Sequence, residues 1–274
     1  MRRVASTAAG APAVVTALYT IAPYRRPPQG VAAVLREADR PDAPARPVPV
    51  AKAVRAGKAV ALARLAARAA QRDRPGVQQR VALTNGAEAL QQQLLAQFPG
   101  YTLVPDIIHA AAYLWDTANA LLGERHAGRT AWVRSHLGHL LAGQTDTVIA
   151  ALQQAARAPT CTDAQRGGAL RTVGYYQRNA PYMRYDAYLA QGWPIGTSVV
   201  EGACGHLVKD RMEQSGMRWT LAGAPAVLDL RAVRCNGDWD AYRRFHRRQQ
   251  HQRLYGDTAA IPGVAAVQLD QLAA

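Results

Sequence analysis

The chain has 274 residues, of which 49% are hydrophobic and 19% are charged, a composition that excludes disordered, collagen-like and coiled-coil classes. Its mean hydropathy of -0.18 and the lack of any long apolar window argue against a membrane-spanning protein. Lysine and arginine number 33 against 19 acidic residues, a net charge of +14, which favours a nucleic-acid partner over a basic surface that serves solubility alone.

The N-terminal part combines a predicted strand with two predicted helices. The apolar stretch 11–22 follows two arginines and loosely imitates an export signal, but Pro12 interrupts it and β-forming residues fill it. A buried strand is therefore the preferred prediction. After it come a short helix over 31–37, a proline-rich linker over 40–50 and an amphipathic helix over 58–71.

A strand–helix–strand–helix pattern follows, with strands over 80–84 and 101–104 and helices over 87–97 and 106–122. In open α/β sheets, functional groups lie just beyond the carboxyl ends of the strands. Asn85 and Asp106 occupy those two ends. We therefore expect their side chains to lie next to each other.

Each polar residue of this segment also has a structural interpretation. Asn85-Gly86 is a favoured hairpin turn, although the helical spacing of the leucines after it favours a strand-to-helix corner. Asp106 suits the N-cap of the next helix, a role that is compatible with a function. His109 lies one turn further on the same face and is predicted as a buried, hydrogen-bonded side chain rather than a metal ligand.

The rest of the chain is predicted to be helical. The helical runs cover 130–142, 145–157, 163–178, 199–213, 221–235 and 238–253, with a break at the sequence GWPIG. This order predicts an α/β sheet interrupted by an all-helical insertion. The predicted units are a first core part over 1–122, the insertion over 123–191, the return to the core over 192–256, and a tail over 257–274.

The last predicted helix carries the run RRFHRRQQHQR, which has five arginines and no acid. Guanidinium groups pair with phosphate oxygens through two parallel hydrogen bonds and stay charged. The predicted DNA-binding residues are therefore Arg243, Arg244, Arg247, Arg248 and Arg253. The three cysteines lie far apart without a C-x-x-C pair, which indicates reduced thiols and a cytoplasmic protein.

Glu201 has two interpretations that the residues alone leave open. It begins a helix among valines and small residues, where a buried carboxylate needs a metal ion or an arginine as a partner. An exposed glutamate near a helix N-terminus, stabilised by the helix dipole, accounts for the same pattern.

Several segments resemble the bacterial insertion-sequence transposases of the ISKra type. They are GWPIGTSVVEGACGHLVKDRMEQSGMRW, NAPYMRYDAYLAQGW, LWDTANALLGE, PDIIHAAAYLW, VALTNGAEALQQQL and VVTALYTIAPY, and they cover almost the whole chain. The resemblance implies a DDE enzyme with a ribonuclease H-like core that transposes DNA. It also implies two divalent ions, usually Mg²⁺, held between three carboxylates for an in-line phosphoryl displacement. The implied partners are transposon-end and target DNA, with homo-oligomers or association with intact transposase.

The resemblance also assigns roles to residues. Glu201 matches the final catalytic glutamate and is an implied metal ligand together with Asp106. Asp106 and His109 match the D-x-x-H motif of the family, in which His109 has a supporting role. Asn85 stands where the family has a catalytic aspartate.

Two departures from the family pattern lead us to expect impaired catalysis. Asparagine offers a metal ion one carbonyl oxygen but no negative charge, so Asn85 weakens the attraction for Mg²⁺. The family's first aspartate lies upstream of VVTALYTIAP and is expected to be missing, which leaves an incomplete ribonuclease H-like sheet. The alternatives are a non-catalytic DNA-binding or transposase-associating remnant, and a decayed product that folds poorly.

Overall fold

The computed structural model describes residues 13–34, 51–56, 58–212, 219–220 and 223–256. The strands are β1 (Ala13–Leu18), β2 (Ala51–Ala56), β3 (Val81–Thr84) and β4 (Thr102–Pro105). The first helices are α1 (Pro28–Val34), α2 (Lys58–Arg72), α3 (Glu88–Gln97), α4 (Ile107–Leu122), α5 (Arg129–Leu141), α6 (Thr145–Arg157), α7 (Asp163–Asn179) and α8 (Tyr185–Gln191). The later ones are α9 (Ser198–Cys204), which continues through a π-helical segment (Gly205–Lys209) into α10 (Asp210–Met212), then α11 (Gly223–Cys235) and α12 (Trp239–Tyr255).

Most predicted elements are confirmed, with ends that differ by a few residues. The predicted linker over 40–50 and the tail over 257–274 lie outside the described residues, as do the ends of the helices predicted over 31–37 and 199–213. None of the helices in the described ranges combines the length and the apolar character needed to cross a membrane.

The described strands form two separate two-stranded sheets, whereas one interrupted sheet was predicted. β1 pairs with β2 in antiparallel register, and β3 pairs with β4 in parallel register. The sequence did not predict β2, because AKAVRA has small and basic residues and a single β-branched one. Its strand conformation depends on pairing with β1, a contact across distant parts of the chain. The result is a mostly helical α/β protein with a small parallel sheet.

Proline ends β4 without disturbing the parallel sheet. Pro105 has no N–H to donate, and it pairs opposite Thr84 at the last position of both strands. The next backbone N–H, that of Asp106, donates to the Thr84 carbonyl at 2.7 Å. The Pro105 carbonyl accepts a hydrogen bond from the buried Tyr185 hydroxyl at 3.0 Å. The carbonyls of Thr84 and Pro105 thus both have hydrogen-bond partners just before the candidate site.

The main hydrophobic core lies between β4 and helices α4 to α8. Its largest fully buried apolar side chains include Leu114, Leu140, Leu141, Leu152 and Leu189. Helix α4 packs against α5 and α7, and α7 packs against α6. The segment 123–191 is therefore helical, as predicted, and two of its helices pack against α4. A second cluster joins α2 and α3 to β4 through Leu62, Leu94, Phe98 and Leu103.

Candidate functional site

Asp106 is the buried centre of the candidate site. Its side chain is 0% exposed, and it is the N-cap of α4, where one carboxylate oxygen accepts the Ile108 N–H at 2.9 Å. The other oxygen accepts the Thr197 hydroxyl and lies 3.0 Å from Nδ1 of His109. The predicted N-cap is confirmed, and the carboxylate has three neighbouring hydrogen-bond donors. These hydrogen bonds to a carboxylate are charge-assisted, and they hold the Asp106 side chain in one orientation.

Thr197 joins two distant parts of the chain at this site. The Ile107 N–H donates to the Ile195 carbonyl at 2.9 Å, which holds the segment before α9 against the start of α4. The Thr197 carbonyl accepts the Glu201 N–H at 3.0 Å in the first turn of α9, while the Thr197 hydroxyl donates to Asp106. Sequence reasoning missed this residue. Its position just before a helix is typical of an N-cap, but its side chain does not cap α9.

His109 is oriented by the buried carboxylate. A carboxylate only accepts hydrogen bonds, so the ring donates from Nδ1, which in a neutral imidazole leaves Nε2 as the acceptor. The His109 side chain is 45% exposed, which leaves the ring accessible from solvent. The predicted hydrogen bond of His109 is confirmed, whereas the expected burial of its side chain is wrong. A buried carboxylate behind an imidazole is also the arrangement that orients histidine ligands in metal sites.

Glu201 completes a cluster of three potential metal-ligating side chains. Donor atoms of Asp106, His109 and Glu201 all lie within 4.8 Å of one another. Glu201 is exposed, in the first turn of α9, as the second of its two sequence interpretations expects. Helix α9 thus returns a carboxylate to the end of β4 after the intervening helices.

Asn85 lies at the same edge of the parallel sheet. Because Thr84 pairs with Pro105, Asn85 and Asp106 directly follow paired positions of neighbouring strands. The Asn85 side-chain oxygen accepts the Ala87 N–H at 3.1 Å, and α3 starts directly afterwards. The strand-to-helix corner is therefore confirmed and the hairpin interpretation is wrong.

Gly86 lets this corner pack tightly against α7. Its φ of +78° lies in the left-handed region, and a Cβ there would lie 2.6 Å from the Tyr175 hydroxyl oxygen. That hydroxyl donates to the Asn85 carbonyl at 3.3 Å. Behind it, the buried Gln91 amide donates to Asn179 at 2.5 Å, and Asn179 donates to the Tyr175 carbonyl at 2.8 Å. The backbone of the site is thereby fixed to the helical block.

The described donor set does not fit a pair of magnesium ions. Mg²⁺ requires several oxygen ligands in near-octahedral geometry. The Asp106 carboxylate has no exposed surface, and both of its oxygens already accept protein hydrogen bonds, so a bound ion would compete with these donors. Glu201 then offers the accessible carboxylate, and Asn85 offers a neutral amide. An imidazole nitrogen beside one carboxylate suits a single transition-metal ion instead.

The predicted DNA-binding arginines lie on α12, a helix with no buried residue. Because a helix turns about 100° per residue, Arg243, Arg244, Arg247 and Arg248 fall within an arc of about 140°. Within the described chain, none of these side chains forms an ion pair. The start of the helix is held by an ion pair of 2.7 Å between Asp238 and Arg68 of α2, and its packing partner is α11.

Comparisons of the chain with protein-family models, with curated proteins and with solved structures found no match.

Proposed function

We propose that the protein is a DNA-binding relative of the insertion-sequence transposases whose site does not carry the paired-magnesium reaction of that family. The observation that carries the proposal is the basic face of α12. Four arginines share one side of an exposed helix, and within the described residues none of them forms an ion pair. Asp240, one turn before Arg243 and Arg244, is an acidic residue on the same face, so the face carries a net positive charge. Such a face matches the regular negative charge of a DNA backbone.

The geometry of the strand ends supports the second half of the proposal. Two-metal phosphoryl transfer needs carboxylates that bridge and neutralise both ions. Asn85 is neutral, and its side-chain oxygen accepts the Ala87 N–H. The Asp106 carboxylate is buried and already accepts hydrogen bonds from the protein. Glu201 is the accessible carboxylate of the group. An active DDE transposase is the alternative, and it requires ion binding that rearranges Asp106.

The ribonuclease H-like arrangement belongs to the same proposal. It is supported by the parallel pair β3–β4, by the polar residues at the ends of these strands, and by the return of Glu201 after the helical block. A cytoplasmic location with reduced thiols, and association with itself or with intact transposase, complete the proposal. The three cysteines are free in the structure.

DNA binding is tested by the salt dependence of affinity. A fluorescent duplex titrated with the full chain should show log K falling with log salt, by about 3.6 for four phosphate contacts at about 0.9 each. Replacing Arg243, Arg244, Arg247 and Arg248 with glutamine should remove most of that slope. The matched control replaces four other exposed arginines with glutamine, namely Arg125, Arg134, Arg157 and Arg184. Equal losses in both variants, or no binding by the wild type, would contradict the proposal.

Catalysis is tested with the same preparation. We expect no nicking of duplex DNA with Mg²⁺ or Mn²⁺, and none after Asn85→Asp, because one added carboxylate does not release Asp106 from its hydrogen bonds. Metal-dependent cleavage by the wild type that disappears in Glu201→Ala would show that the chain is an active enzyme.

A further inference from the structure

An open groove of about 510 Å³ runs along the surface between α4 and α7. It is lined by Tyr113, Gly167, Leu170, Arg171, Gly174 and Arg178. No acidic side chain lines it. The groove is thus basic, with an apolar wall from Leu170, whose side chain is 48% exposed.

Two arginines lie along α7 in a repeated arrangement. The sequence places Gly167 four residues before Arg171 and Gly174 four residues before Arg178, so both pairs share one face of the helix. A Cβ on Gly167 would lie 3.8 Å from the Arg171 guanidinium, and one on Gly174 would lie 3.6 Å from the Arg178 guanidinium. Each cation therefore lies over a glycine, one turn toward the helix N-terminus.

Among the described residues, no carboxylate lies within ion-pair distance of either guanidinium. Within the described ranges, Arg171 and Arg178 form no ion pair and donate no hydrogen bond. Seven residues of α-helix separate them by about 10.5 Å along the axis. Two such cations along one helix, each with a planar fork of donors, suit two phosphates of one nucleic-acid strand.

The groove adjoins the candidate site. Tyr113 lies four residues after His109 and therefore on the same face of α4. Its ring stacks on Tyr175, with a centroid distance of 4.1 Å and an interplanar angle of 19°. The Tyr175 hydroxyl in turn reaches the Asn85 carbonyl. A nucleic-acid strand bound along α7 would thus continue toward Asn85 and Asp106, at the carboxyl ends of β3 and β4.

We infer that this groove binds the phosphate backbone of a nucleic-acid strand and leads it to the cluster of Asp106, His109 and Glu201. Arg171 and Arg178 bind the phosphates, and Leu170 and Tyr113 contact the sugars and bases. The inference rests on the proposed function and deepens it, because it adds a second contact surface to the basic face of α12.

The test compares Arg171→Gln/Arg178→Gln with a control of equal charge, Arg134→Gln/Arg157→Gln. Both controls lie on other helices, are exposed and do not line the groove. Binding of single-stranded and duplex oligonucleotides to the full chain is measured by fluorescence anisotropy over a salt series. The groove variant should lose about tenfold affinity per arginine, or about 1.4 kcal/mol each, because each loses a charge-assisted hydrogen bond to a phosphate. Its salt slope should fall by about 1.4 for a single strand, and the control should change little.

Photocrosslinking then locates the strand. A 4-thiothymidine oligonucleotide should crosslink to the α7 segment 167–178 or to Tyr113, as read by mass spectrometry. Binding that depends on α12 but is unaffected by the groove variant, without crosslinks in α7, overturns the groove and leaves the proposed function intact. Equal loss in groove and control variants also overturns the groove. A wild type that binds no oligonucleotide overturns both proposals, and a polyglutamate peptide that competes equally well overturns the assignment to nucleic acid.

Discussion

The hydrogen bond from Thr197 to Asp106 predicts a measurable loss of stability in Thr197→Val. Valine keeps the shape of threonine and removes the one donor. Asp106 has no exposed surface, so water cannot replace the lost bond. A hydrogen bond to a charged group contributes about 1.5–3 kcal/mol, and removing it leaves the Ile108 and His109 donors in place. We expect the free energy of unfolding to fall by about 2 kcal/mol.

This change is measured by urea and thermal unfolding followed by circular dichroism. For a chain of this size, 2 kcal/mol corresponds to a Tm lowered by about 4–8 °C. The control is Thr160→Val, in the exposed turn before α7, where the side chain has no hydrogen bond to the described residues and the expected change is below about 0.5 kcal/mol. In an Asp106→Ala background, Thr197→Val should cost almost nothing further, because its acceptor is gone. A loss in Thr197→Val no larger than that of the control would refute the hydrogen-bond account of the site.

Two further predictions concern the packing at Gly86 and the pH dependence of the stability of the protein. Gly86→Ala should lower the free energy of unfolding by about 2–4 kcal/mol, because the left-handed φ and a Cβ at 2.6 Å from the Tyr175 hydroxyl both destabilise the variant. The control is Gly100→Ala, where φ is +82° and no atom lies near the added Cβ, and its expected cost is about 1–2 kcal/mol. Equal costs in the two variants would contradict the close approach. Burial raises the pKa of Tyr19 to about 12, and it also raises the pKa of Tyr175 and Tyr176. Because the pKa is higher in the folded state than in the unfolded state, these tyrosines stabilise the protein fully below pH 10, and this stabilisation is lost as the pH rises through the folded-state pKa. The urea midpoint should therefore fall between pH 10 and 12, and it should fall less steeply in Tyr19→Phe. Midpoints independent of pH in that range would show that these hydroxyls are not buried.

Local sequence signals were sufficient for the elements that carry the site. The segment from β3 to α4 was predicted from its apolar spacing, its Asn-Gly corner and the capping aspartate, all of which act within a few residues. The same pattern predicted that Asn85 and Asp106 would be neighbours, because consecutive parallel strands end at the same edge of a sheet. Strand β2 escaped prediction because its residues have weak strand preference and its pairing partner lies over thirty positions earlier in the chain.

The amino-acid sequence alone determined the helices, the parallel strand pair and the basic character of α12, since propensity, spacing and charge are local properties. Tertiary structure decided the environment of each polar group. Thr197 reaches Asp106 across 91 positions, and that contact makes Asp106 a buried acceptor while Glu201 stays exposed. It also decided that Arg171 and Arg178 border one groove beside the site. Burial and partner choice depend on which distant segments pack together, and only the folded chain determines that.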